Sequence, residues 1–253
     1  MPYRGTVLVT GAGRRIGKAI AMDLAAHGYH VAIHAHRSGA EAEAVAGLIR
    51  AEGGVAEVFL ADLTQTAAVR ELHDSVSARL GAPDIIVNNA SMFQDDDVRA
   101  FDEALFERHF AVHLKAPAIL AEAMSNSLPD GRDGLIVNII DQRVWRLTPR
   151  FFSYTLSKSA LWTATRTMAQ ALAPRIRVNA IGPGPTLANE RQNADDFARQ
   201  AAAVPLGRGP ELAEFGATIR YLHQARSVTG QMIALDGGQH LAWQTPDVSG
   251  VGE

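Results

Sequence analysis

Short apolar runs alternate along this chain with longer stretches whose apolar positions recur every three or four residues. The runs fall at Thr6–Thr10, His30–Ala35, Ala56–Ala61, Asp84–Asn88, Leu135–Ile140, Arg177–Ile181 and Met232–Leu235. Several are almost continuously aliphatic, the pattern of strands covered on both faces. Between the first two, Ile16, Ile20 and Leu24 give a helix one apolar stripe. Ala40–Gly53, Thr66–Leu80, Asp102–Leu128, Phe152–Ala173 and Glu211–Gln224 read as further helices. This alternation predicts an α/β fold, a parallel sheet with right-handed crossovers. No repeat, low-complexity tract or linker interrupts it, so residues 1–253 are expected to form one domain. Leu187–Val204 breaks the alternation. It is long, polar and strandless, which suits a loop with a short helix over a substrate.

Composition removes several classes of function. A length of 253 residues with 47% hydrophobic positions is ample for a buried core. The formal net charge of −3 gives no reason to expect nucleic acid or an acidic membrane as partner. With no cysteine, thiolate catalysis, disulfides and cysteine metal sites are excluded. No apolar run approaches the roughly 18 residues of a membrane span. A strand-like stretch begins near the first residue, leaving no room for a signal peptide. A cytoplasmic enzyme with a small-molecule substrate is the expectation.

Ligands of open parallel sheets gather at the carboxyl ends of the strands. The first run ends in Thr10-Gly11-Ala12-Gly13-Arg14-Arg15-Ile16-Gly17 and passes straight into a helix. Glycines let phosphate approach the backbone, and the helix start offers free N–H groups. An NAD site would carry an acid about 20 residues further on, at the end of the second run. Here stand His34-Ala35-His36-Arg37-Ser38, with no acid. Arg37 and Ser38 can donate to a 2′-phosphate, and Arg14 can approach it from the glycine turn, so NADPH is the expected cofactor. Asp62-Leu63 would lie near the adenine, and Asn88-Asn89-Ala90-Ser91 along the middle of the cofactor; each could equally be a turn cap.

Tyr154 and Lys158 stand four apart and so share one face of a helix. A lysine ammonium beside a phenol is expected to lower its pKa from about 10, making it a proton donor near working pH. Lysine can also hold the nicotinamide ribose.

The glycine turn, Asn88-Asn89-Ala90, Tyr154-x-x-x-Lys158, Pro183-Gly184 and Asp236-Gly237-Gly238 occur in an order that resembles the short-chain dehydrogenases/reductases. The resemblance covers nearly the whole chain. It implies a single-domain, doubly wound Rossmann fold with seven parallel strands, a homotetramer, and hydride transfer from a nicotinamide. It also assigns Gly11, Ile16, Pro183, Gly184 and Thr186 to the cofactor.

Three positions depart from the family pattern. Asp141 stands thirteen residues before the tyrosine, where the family usually has serine. Arg15 replaces the second glycine of the first turn, and His113 stands where an asparagine commonly supports a water relay, which a histidine can continue in altered form. Arg15 with Asp141 suits a nitrogen-rich heteroaromatic ring better than a ketone. In this the chain resembles pteridine reductases and dihydromonapterin reductases. His36-Arg37-Ser38 resembles the NADPH clasp of that subfamily, and Phe93 matches a phenylalanine that stacks a pterin against the nicotinamide. Ser91 and Phe151 would add substrate contacts.

Simpler roles are open for each. Phe93 and Phe151 could fill core or pack a helix start, and Asp141 could pair with Arg143 or Arg15. His109 and His113 are four apart on a helix but lack a third ligand, so no metal is expected. Asp95-Asp96-Asp97 reads as a solvated loop. Trp243 and the tail to Glu253 could seal a subunit interface. The functions to weigh are reduction of a dihydropterin, oxidised pterin or dihydrofolate; reduction of a ketone, sugar or acyl thioester; and a non-catalytic NADPH sensor.

Overall fold

The computed structural model describes residues 3–188 and 193–243. Seven strands form one parallel sheet: β1 (Thr6–Val9), β2 (His30–Ala35), β3 (Ala56–Leu60), β4 (Ile85–Asn88), β5 (Gly134–Ile139), β6 (Ile176–Pro183) and β7 (Met232–Leu235). Their order is β3-β2-β1-β4-β5-β6-β7, so the connection direction reverses between β1 and β4. That reversal opens a crevice at the carboxyl ends of the strands.

The continuous apolar runs follow from burial on both faces. In β1, Val7 and Val9 pack into one layer with Ile20, Leu24 and Phe215, while Leu8 points into the other with Val76, Leu120 and Met124. Helices α1 (Arg15–Ala26) and α2 (Gly39–Ala51) cover the first face together with α8 (Leu212–Gln224). Helices α3 (Thr66–Leu80) and α5 (Ala116–Ser127) cover the second. The long helix α6 (Phe152–Leu172) lies beside β6.

The helix expected over Asp102–Leu128 is three pieces: α4 (Glu103–Phe110), a π turn over Ala111–Lys115, and α5. Pro117 explains the break, because it has no N–H to return to His113 four residues back. The ladder widens instead, with the Ala116 N–H bonding the Ala111 carbonyl. In the polar segment, α7 spans Ala194–Ala202. Residues 189–192 of the expected substrate loop, and the tail beyond Trp243, lie outside the described residues.

A buried polar chain fixes α6 to the sheet. Asn88 donates to Asn138 (2.8 Å), and Asn138 donates to the Thr165 hydroxyl (2.8 Å). Lateral slippage of α6, and with it Tyr154 and Lys158, would strand these groups without partners. No helix among the described residues is long and apolar enough to cross a membrane.

Candidate active site

A cleft of about 1950 Å³ opens along the carboxyl ends of the strands. Nearly all the residues singled out for cofactor, substrate or chemistry line it, from Arg37 beyond β2 to Thr186 beyond β6; Asn88 and His113 lie behind its wall. The two ends of the cleft are built differently.

At the β1–α1 turn, Gly11 has φ 64°, and a Cβ there would sit 2.9 Å from Ala90 Cα. A Cβ on Gly17 would meet the Gly11 carbonyl oxygen at 2.3 Å. Only glycine fits these two positions. Asn89 reaches across the switch point, its Nδ2 donating to the carbonyls of Thr10 (2.9 Å) and Gly11 (3.1 Å). Helix α1 begins without a side-chain cap and without an acid in its first turn, so its free amides are offered to an anion.

His34 is a part of this end that the sequence did not single out. Its Nδ1 accepts from the Gly11 N–H (3.1 Å), which leaves the proton on Nε2 to donate to Ala61 O (3.1 Å). Burial holds its pKa down to about 4, so it stays neutral and ties the glycine turn to the end of β3. A signal existed: His34 alternates into an otherwise aliphatic strand. Asp62 accepts from the Thr64 N–H (2.9 Å) and hydroxyl (2.8 Å), and these bonds, with His36 and Arg37 nearby, hold its carboxyl below the usual range.

At the other end, the Tyr154 hydroxyl donates to Asp141 Oδ2 at 3.0 Å, while Asp141 Oδ1 accepts the Arg143 N–H at 2.9 Å. Burial raises the Asp141 pKa against the pull of Arg143, Tyr154 and Lys158. The expectation that Lys158 lowers the tyrosine is overturned. Burial first, and then the Asp141 carboxylate, push the Tyr154 phenol well above 10. Lys158 Nζ donates to Ile139 O (2.7 Å) and lies 5.8 Å from the phenol ring centroid. Burial lowers its own pKa to about 8. Proximity in sequence put lysine and tyrosine on one face, but the carboxylate is the nearer charge.

The alternative role of Asp141, an ion pair with Arg143 or Arg15, is not formed among the described residues. Arg15 instead donates to the carbonyls of Ala188 (2.7 Å) and Leu187 (3.2 Å), fastening the start of the polar segment to the first turn. It has φ 54°, a conformation glycine takes freely, which accounts for the glycine usual at this position in the family.

Phe93 stacks on Phe151 (centroids 4.3 Å, 6° between planes) and meets Tyr154 edge-on at 4.8 Å. Phe151 also has positive φ, 56°. The acidic run, read from sequence as solvated, holds it there: Asp95 accepts the Phe151 N–H (3.2 Å), and Asp96 accepts the Ser153 N–H (3.0 Å) at the start of α6.

Both nitrogens of His113 are engaged, and Nε2 also lies 3.1 Å from the Ser91 hydroxyl. Its Nε2 accepts from the Met92 N–H (3.1 Å), so Nδ1 carries the proton and donates to Ser157 Oγ (2.8 Å). Burial and the Lys158 charge keep its pKa well below 6.5. His113 therefore clamps the loop after β4 to α6. His109 bonds Ser153 Oγ (2.6 Å) one turn earlier, so both rings face serines of α6.

The family model described as enoyl-(acyl carrier protein) reductase matches residues 11–240. The chain belongs to this family of short-chain dehydrogenase/reductase oxidoreductases. It is 63% identical to the crystallised FolM alternative dihydrofolate reductase 1 of Brucella canis, complexed with NADP; the match covers 98% of each chain at a TM-score of 0.95. The Brucella suis protein of the same name, also in complex with NADP, is 64% identical over 98% of this chain and all of that one, again with a TM-score of 0.95. More distant is a 3-oxoacyl-[acyl-carrier-protein] reductase of Staphylococcus epidermidis, 31% identical over 93% of this chain and 99% of that protein.

Proposed function

We propose that the chain is an NADPH-dependent reductase of pterin-type substrates: dihydromonapterin, dihydrobiopterin, or a related pteridine including dihydrofolate. The observation that carries this reading is the Tyr154 hydroxyl donating to a half-buried Asp141 carboxylate at 3.0 Å, with Phe93 edge-on to the same phenol. Identity of 63–64% to dihydrofolate reductases crystallised with NADP supports it.

The cradle fits a dinucleotide: two positions admit only glycine, and uncapped amides open into the same cleft. Gly11, Arg14, Arg15 and Ile16 would hold the pyrophosphate; His36, Arg37 and Ser38 the 2′-phosphate. Asp62 and Leu63 would flank the adenine, and Asn89, Ala90, Ser91, Pro183, Gly184 and Thr186 the remainder, with Lys158 on the nicotinamide ribose. When bound there, NADPH would supply hydride chemistry to the carbon of a ring C=N bond, whose nitrogen would then need a proton. Tyr154 gives that nitrogen its hydroxyl proton. A phenol held well above 10 keeps its proton until the developing basic nitrogen takes it. Asp141, whose carboxyl is raised by burial, restores the proton from the cleft. Phe93, Phe151, Ser91 and Arg15 would position the ring. Residues 1–253 would form one NADP-binding domain, residues 187–204 covering the substrate, in a cytoplasmic homotetramer.

Oxidation of NADPH on addition of dihydromonapterin, dihydrobiopterin or dihydrofolate tests this reading; no turnover of any pteridine overturns it. The second reading, reduction of a 3-oxoacyl thioester, is the activity named for the staphylococcal relatives. Asp141→Ser separates the two. Under the pterin reading it abolishes pteridine turnover, whereas retained pteridine turnover with a gain on the thioester favours the second.

A further inference from the structure

Arg143 is a cleft residue near the reacting groups whose arrangement the proposed mechanism does not use. It follows Asp141 by two positions, in the short 3-10 turn Gln142–Val144 after β5. Its backbone N–H is spent on Asp141, but its guanidinium is not paired with that carboxylate. The guanidinium carbon lies 5.1 Å from the Phe93 ring centroid and 4.8 Å from that of Phe151. Because those two rings stack on each other, a guanidinium about equally far from both lies against the side of the stack, packed beside the rings. Its charge reaches the reacting pair, drawing both Asp141 and Tyr154 down against the effect of burial.

The guanidinium is also left incomplete. Nη1 is buried without a hydrogen-bond partner. An unpaired donor buried in this way costs roughly 1–3 kcal/mol, more when it is charged. A cost of that kind is expected where a ligand completes the bond. Arg143 lines the same cleft as Tyr154, Asp141 and Phe93, so the missing acceptor would come from a molecule in that cleft. An aliphatic ketone presents one oxygen, which Tyr154 would occupy. On the pterin reading, the second acceptor is one of the lone pairs along the edge of the ring.

We infer that Arg143 is a specificity-determining residue: its guanidinium, packed beside the Phe93–Phe151 stack, donates from Nη1 to a ring nitrogen or carbonyl oxygen of the heteroaromatic substrate. The inference rests on the pterin reading and adds to it the residue that recognises an acceptor on the ring edge. A ground-state contact of this kind acts on substrate binding more than on the chemical step.

Arg143→Met and Arg143→Lys are compared with the unaltered enzyme in kcat and KM for dihydrobiopterin, and in Kd for NADPH by fluorescence titration. Met should raise KM by about 10- to 100-fold, the range for losing a hydrogen bond from a charged donor, with kcat lowered by less than about threefold. Lys should recover part of that loss, since it keeps the charge but not the planar fork. NADPH binding should stay within about twofold in both, which marks the site as folded. An unchanged KM in Arg143→Met overturns the inference, and so does a parallel loss of NADPH affinity, which would make Arg143 a structural support. If the unaltered enzyme turns over no pteridine, the parent reading falls and this one with it; an active enzyme indifferent to Arg143→Met sinks this inference alone.

Discussion

The two ends of the cleft solve the same problem, holding a polar ligand in a half-dry site, with different materials. The nucleotide end is built from main chain: Gly11, Gly17 and the uncapped start of α1, braced by Asn89 and His34. The reaction end is built from side chains: Tyr154, Asp141 and Lys158, whose pKa values burial displaces, beside a stacked phenylalanine pair. A main-chain cradle binds any dinucleotide phosphate, and its geometry tolerates little change. A side-chain site can be re-aimed by single substitutions. Asp141 and Arg15, both departures from the usual family residues, stand at or facing the reaction end. Both non-glycine residues with positive φ among those described, Arg15 and Phe151, line this cleft as well. Backbone strain has collected where the ligand would sit.

Substitutions at each end should therefore separate binding from chemistry. The largest effect is expected from Tyr154→Phe, which keeps the ring and removes the donor: kcat should fall by roughly 10²–10⁴ while NADPH still binds. Single-turnover kinetics would check it, and an unaffected rate would end the role assigned to the phenol.

Lys158→Met should trade activity for stability. A folded-state pKa of about 8, below the ordinary 10.5, means that unfolding takes up a proton between those values. Stability therefore rises with pH from about 8 to 10.5, and the ammonium is a liability below that window. At pH 7 the substitution should stabilise the fold by up to about 3 kcal/mol, at 1.36 kcal/mol per pKa unit, offset by the Ile139 carbonyl left without its donor. Denaturant melts at pH 7 and 10 would show the gain shrinking at the higher pH.

Arg37→Ala should weaken NADPH binding by about 10- to 100-fold and leave NADH within about twofold, as expected for losing a charge-assisted bond to a 2′-phosphate. Equal losses for both nucleotides would show that the end of β2 does not read the phosphate. The smallest effect belongs to Phe93→Ala. Its stacking share should be about 0.5–1.5 kcal/mol, a rise in pteridine KM of roughly 2- to 12-fold, with NADPH affinity nearly unchanged. Loss of NADPH binding instead would place Phe93 at the wrong end of the comparison.

Much of the site was legible because it depends on local rules. A glycine turn between strand and helix, a missing acid after β2, and a Tyr-Lys pair at helical spacing each carry their meaning within a few residues. The illegible parts depend on groups far apart in sequence. That Arg15 holds Leu187 and Ala188 rather than Asp141, that Asp95 and Asp96 fasten Phe151 and Ser153, and that His113 bridges Met92, Ser91 and Ser157 are facts about neighbours in space.

The sequence alone determined the parallel sheet, the position of the cleft and most of the candidate groups along it, because periodicity and turn chemistry act over short range. Only the tertiary structure decided the protonation logic of the reaction end. Lys158 had been expected to lower the phenol, yet burial and the Asp141 carboxylate raise it. Desolvation depends on everything packed around a group, and no spacing along the chain records it.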